Sequence, residues 1–130
     1  MTSADARERA GTAREHLRVA EQEYLTIQGT SDRYASAQVA ASNAILAGIA
    51  ASDAICGKAL GERVSEQDHR AAGDFLATVQ PGGKGLAVKL RRLLKDRTLL
   101  QYGNYCTPSK ADDMLRNARA LIEALGAHDL

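Results

Sequence analysis

A chain of 130 residues has room for one domain with a modest core and not comfortably for two. Hydrophobic residues make up 45% of it but aromatic ones only 4%, so the core must be aliphatic and rich in alanine. With a net charge of +1 the whole molecule offers no electrostatic case for binding nucleic acid, and only a local patch could provide one.

The first predicted helix runs from about Ala4 to Ile27, on a stripe of Ala10, Ala13, Leu17, Ala20, Tyr24 and Ile27. Gly29-Thr30-Ser31-Asp32 then supplies a stop followed by a cap. The second and longest helix spans about Asp32 to Leu60 and carries many alanines and glycines, which let another helix approach closely. Gly57 weakens its end and Gly61 terminates it. Ser65 and Asp68 form a cap for a third helix, which ends before the loop Gln80-Pro81-Gly82-Gly83. A fourth helix runs from about Lys84 to Gln101 and stops at Gly103. Thr107-Pro108 opens a fifth, which buries Met114, Ala118, Leu121, Ile122 and Leu125 and stops at Gly126.

These elements predict an all-α fold, a single helical bundle of about five helices over residues 1–130. Residues 1–29 form an N-terminal helix and linker, and 30–126 the core bundle. No apolar run reaches the length needed to cross a bilayer, so no membrane is expected. The polar stretch Met1 to Arg18 is not a secretory signal. Cys56 and Cys106 lack metal-ligand spacing, and a cytoplasmic protein with free thiols is the expectation. Neither a metal nor another cofactor is implied.

Two charges interrupt the apolar pattern. Leu86, Leu90, Leu93, Leu94 and Leu100 follow a 3.6-residue period, and Arg97 falls near the centre of the same face. On the second helix Leu46, Ile49, Cys56 and Leu60 define a stripe with Asp53 inside it. A buried guanidinium and a buried carboxylate each need a partner, so an Arg97–Asp53 pair is expected. Such a pair either fixes how two helices pack or orients Arg97 toward a phosphate. Tyr102, Asn104 and Tyr105 follow at the helix end. Arg97 and Tyr102 stand ~140° apart on an unbroken helix and converge only if it unwinds near Gly103. The tyrosines then either stack on unpaired bases or pack the helix corner.

Arg91, Lys95 and Lys84 occupy the face opposite the stripe. They are either a solvated surface or a strip that tracks a phosphodiester backbone. Arg116 and Arg119 line the exposed side of the last helix, and His69 beside Asp68 reads as a capping or surface residue. Gly82-Gly83-Lys84-Gly85 lacks the spacing and the preceding strand of a phosphate-binding loop.

The stretch 90–125, LRRLLKDRTLLQYGNYCTPSKADDMLRNARALIEAL, resembles the C-terminal half of a HEPN domain. The small-residue helix with Ser52-Asp53 and the segment EQDHRAAGDFL resemble the remainder, over about Ser31 to Leu125. The resemblance implies a four- or five-helix bundle that forms a homodimer. It also implies a metal-independent endoribonuclease of a toxin–antitoxin or defence system, with a nucleotidyltransferase antitoxin as partner. Arg97 matches the family arginine and Asp53 its acidic support. The family histidine, which follows the arginine after four to six residues, has no counterpart: Tyr102, Gly103 and Asn104 stand there, and the only histidines are His16, His69 and His128. Imidazole transfers protons near neutral pH and tyrosine, with a pKa near ~10, does so poorly. The resemblance thus implies an RNA- or nucleotide-engaging protein using Arg97, Asp53, Tyr102 and Asn104, with Tyr105, Arg91 and Lys95 contacting nucleic acid. The alternative is a HEPN-like module without catalysis, for partner binding or oligomerisation.

Overall fold

The computed structural model describes residues 1–27, 33–61, 69–102 and 106–130; for residues 69, 70, 99, 101 and 102 it describes the backbone only. Five helices follow one another: α1 (Ser3–Leu25), α2 (Arg33–Leu60), α3 (His69–Ala77), α4 (Gly83–Tyr102) and α5 (Pro108–Ala127). Among the described residues there is no strand. The turn at residues 29–32, the Ser65–Asp68 cap and the stop at Gly103 lie outside the described residues.

Local chemistry explains the ends that are described. Thr2 caps α1: its hydroxyl accepts from the Asp5 N–H at 3.1 Å, and the Asp5 carboxylate accepts from the Thr2 N–H at 3.0 Å. Gly61 closes α2 with φ of +72°, a conformation that glycine adopts without a side-chain clash. Gly57 does not fray the helix; it is buried against Met1. Thr107 caps α5 and Pro108 sits where its missing N–H is harmless. That helix runs past Gly126 to Ala127. The His128 ring then donates from Nε2 to the Pro81 carbonyl at 3.2 Å, which ties the C-terminus to the α3–α4 loop.

Cross-links between helices give their directions. Arg9 meets Asp53 and His16 meets Asn43, so α1 and α2 are antiparallel. The Gln38 amide donates to the Leu100 carbonyl, and Gly48 faces Leu93, so α2 and α4 are antiparallel too. Lys110 near the start of α5 meets Asp96 in the second half of α4, and His128 just past its end meets Pro81 just before α4, so α5 is antiparallel to α4. Short α3 covers the first turns of α4, where the Leu76 carbonyl abuts Gly83 and Asp74 pairs with Arg91.

The centre of this arrangement is α2. Ala37, Ala40, Ala41, Ala44, Ala47, Ala50, Ala51 and Ala54 are all fully buried, as are Ala6, Ala10, Ala13 and Ala20 on α1. Small side chains on both sides bring the two backbones close. Larger residues (Ile55, Leu76, Leu90, Leu93, Met114, Leu115, Leu121, Leu125) fill the space toward α3, α4 and α5. The expected stripe on α2 is only partly its core face: Cys56 is buried and Ile49 half-buried, while Leu46 and Leu60 are 42% and 40% exposed.

The expectation that no segment could cross a bilayer also changes. By length and composition α2 passes, with a mean hydropathy of 1.5 over its most apolar window, and the bundle buries 67% of that window.

Candidate functional site

The site begins with α4, whose buried face turns along its length. Its first half presents Leu86, Ala87, Leu90 and Leu93 to α2 and α3. Beyond Leu93 the buried side chain among the described residues of α4 is Asp96, only 8% exposed, and Arg97 is exposed to solvent. Asp96 is as regular a continuation of the stripe as Arg97, three residues after Leu93 and four before Leu100. The choice between them is made by α5, whose Lys110 ammonium lies 2.9 Å from Asp96 Oδ1.

Asp53 has a different partner from the expected one. Its carboxylate, 12% exposed, faces α1, where Arg9 donates to Oδ2 from Nε at 3.3 Å and from Nη2 at 3.1 Å. The segment of α2 beside Arg97 is Gln38–Leu46. Asp53 lies seven residues further along, ~10 Å by helical rise. The expected Arg97–Asp53 pair is thus corrected on both sides: the arginine is outside the core, and the aspartate serves the α1–α2 contact.

The remaining sequence candidates divide. Helix α4 continues through Tyr102, and the expected unwinding near Gly103 lies outside the described residues. The Tyr102 side chain, Asn104 and Tyr105 lie outside the described residues. Arg91 is engaged by Asp74 at 2.9 Å and lies across Gly73 of α3. Lys95 is exposed and lines a groove between α4 and α5.

Two open grooves flank the second half of α4. Arg97 lines the one toward α2, about 450 Å³, with Gln38, Ser42, Ile45, Leu46 and Leu100. A guanidinium, a hydroxyl and aliphatic walls can hold an anionic group attached to an apolar or planar body. The groove toward α5, about 460 Å³, is lined by Arg92, Lys95, Asp96, Lys110, Asp113, Arg116 and Asn117. Arg9, Asp96, Arg92 and Lys110 join the site without having been expected from the sequence. Asp96 had a signal in the α4 period and Arg9 one at the edge of the α1 stripe; their partners depend on contacts between distant segments.

Neither cysteine is a prepared nucleophile. Burial pushes the Cys56 thiol up from 9.0 to about 11, with neighbouring Asp53 adding to the rise and a hydrogen bond with Ser52 opposing it. Burial raises Cys106 as well. In the unfolded chain Cys56 ionises near its ordinary value while the folded thiol stays neutral. Its contribution to stability is therefore complete below about pH 9 and falls as pH rises toward 11. Denaturant midpoints measured across that range should fall with pH, less steeply in Cys56→Ala. Iodoacetamide at neutral pH should leave Cys56 unmodified in the folded protein.

Among the described residues no group of three His, Cys, Asp or Glu side chains could hold a metal ion. No family model, curated protein or solved structure matches the chain. Among the described residues the class established by fold and contacts is an all-α bundle of five helices.

Proposed function

We propose that this chain is a HEPN-like helical module that engages RNA or a nucleotide through Arg97. The observation that carries the reading is Arg97 itself, exposed near the end of α4 and lining a groove wide enough for a nucleotide-sized group. The five-helix bundle and the sequence resemblance over about Ser31 to Leu125 are consistent with it. In this reading the guanidinium binds a phosphate, Ser42 supplies a neighbouring hydroxyl, and Leu46 covers the apolar face of the ligand.

The role is binding rather than cleavage. Attack by a 2′-hydroxyl needs a group that takes its proton near neutral pH, and an arginine stabilises charge without accepting protons. Of the histidines, His16 sits on α1 against Asn43 and His128 is bound to the Pro81 carbonyl. The backbone of His69 opens α3. A metal-independent endoribonuclease toxin, paired with a nucleotidyltransferase antitoxin in the cytoplasm, is the stronger form of the same proposal. It requires a proton acceptor from the segment after Tyr102 or from a second copy.

Fluorescence anisotropy with labelled single-stranded RNA and with adenine nucleotides tests the reading. Arg97→Ala should weaken binding about 10- to 100-fold, the loss expected for one charge-assisted phosphate contact. Equal binding by wild type and Arg97→Ala, or none by either, overturns it. RNA shortened only by the wild-type protein would restore the nuclease form.

A second reading is favoured by Val39 and Leu46, which stand 46% and 42% exposed on α2. They suit a HEPN-like module that binds a protein partner or forms a homodimer without catalysis. A monomeric mass by light scattering at micromolar concentration removes the homodimer.

A further inference from the structure

The groove between α4 and α5 is lined by more cations than carboxylates. Four cations line it (Arg92, Lys95, Lys110, Arg116) against two carboxylates, Asp96 and Asp113. That excess of two compares with a net charge of +1 for the whole chain, so the rest of the protein is slightly acidic. Asp96 is buried and held by Lys110 at 2.9 Å, so these two charges cancel each other. Arg116 pairs with Asp112 at 2.8 Å, but its side chain is 72% exposed, and such a surface pair yields readily to a stronger anion. Among the described residues Arg92 and Lys95 form no ion pair, and both are exposed. Asp113 is the acid left facing them, and Asn117 adds an amide whose Nδ2 donates to the Asp113 carbonyl.

The spacing makes this a track rather than a point. Arg92 and Lys95 lie one turn apart on α4, and Lys110 and Arg116 span ~9 Å along antiparallel α5. The cations stand on helices whose spacing the bundle fixes. No aromatic side chain lines the groove among the described residues, so it offers nothing to stack or read a base.

We infer that the α4–α5 groove holds a short run of backbone phosphates of single-stranded RNA, without sequence preference. The inference rests on the RNA reading proposed above and adds a second surface to it, on the side of α4 away from Arg97. Contact through Arg92, Lys95 and Arg116 positions the strand along α4, and Arg97 binds in the other groove. Arg91, engaged by Asp74 of α3, is not part of the track.

Anisotropy titrations of a labelled oligouridylate against the full chain, over a series of salt concentrations, test it. The paired substitution Arg92→Gln with Lys95→Gln removes two exposed charges outside the core. It should lower the slope of log K against log salt by about 1.4, or about 25-fold in affinity at 0.1 M salt. Its melting temperature should be that of wild type. The charge-matched pair Arg7→Gln with Arg18→Gln, both exposed on α1, should leave the slope unchanged. An oligoadenylate should bind with the same slope. The inference falls if the Arg92/Lys95 pair keeps the wild-type slope, or if the α1 pair lowers it as much. The two readings separate in the same experiment. Loss in the Arg92/Lys95 pair with none in Arg97→Ala keeps the track and removes the Arg97 site; the reverse removes the track alone. A wild-type protein that binds neither oligonucleotide removes the track and the RNA form of the Arg97 reading, which then stands or falls on the nucleotide titration.

Discussion

Gly48→Leu is expected to lower the unfolding free energy by about 3 kcal/mol or more, against ~5–15 kcal/mol for a typical domain. Three helices meet at this glycine. A Cβ built there would stand 2.4 Å from Leu93 Cδ1 on α4 and 3.2 Å from Leu121 Cδ1 on α5. Both obstacles are the ends of flexible side chains, so a single methyl can be accommodated by rotation. Gly48→Ala also gains ~1 kcal/mol of helix propensity in a helix interior, which offsets much of the crowding. The alanine variant should therefore fall within about 1 kcal/mol of wild type. Leucine adds three more carbons where Leu93 and Leu121, both fully buried, have nowhere to withdraw. Urea denaturation distinguishes the two, read from the midpoint at constant m. A leucine variant with the wild-type midpoint would mean that α2, α4 and α5 do not pack at this crossing.

Lys110→Met should cost about 2–3 kcal/mol, because it leaves Asp96 buried and unpaired. The carboxylate is 8% exposed as a residue and has the lysine as its ion-pair partner at 2.9 Å. Removing one member of a buried pair commonly costs more than this. Here the lysine side chain is 41% exposed, and water entering from the groove softens the loss. Replacing both residues, Asp96→Leu with Lys110→Met, should recover most of the stability, since no buried charge remains. A double-mutant cycle isolates the coupling between them. If Lys110→Met is as stable as wild type, the lysine does not compensate Asp96, and it becomes available to the groove as a free cation.

Much of the scaffold is legible along the chain. The five helices follow from uninterrupted helical periodicity, and their ends from residues acting locally. Gly61 supplies a left-handed terminator, Thr107-Pro108 starts α5, and Pro81-Gly82 breaks α3 from α4. The core of α2 is less legible, because the usual guide inverts. Leu46 and Leu60 point partly to solvent while eight alanines are fully buried. On a helix surrounded by others, closeness of approach decides which face is covered, and bulk works against it.

The candidate site was legible only as an anomaly. Periodicity announces that a charge is buried near residue 97 on α4, and a charge is buried there, one residue earlier. It also marks Asp53 as a carboxylate needing a cation, which is correct; the cation is Arg9, 44 residues away on α1. At 100° per residue Arg9 stands ~50° from the centre of the α1 stripe and Arg7 ~110°, so spacing puts Arg9 at the edge of the buried face, but it does not say that Asp53 lies across it.

Taken alone, the amino-acid sequence determined the helices, their order and most of their described ends, because those depend on residues within one turn of each other. Only the tertiary structure decided which charges are internal and which are offered to solvent. The pairs Asp53–Arg9 and Asp96–Lys110 each join two helices, and Arg97 is exposed while α5 covers the other side of α4. The physical reason is desolvation: the cost of burying a charge is set by the neighbours that packing brings to it, and those neighbours lie far away in the chain.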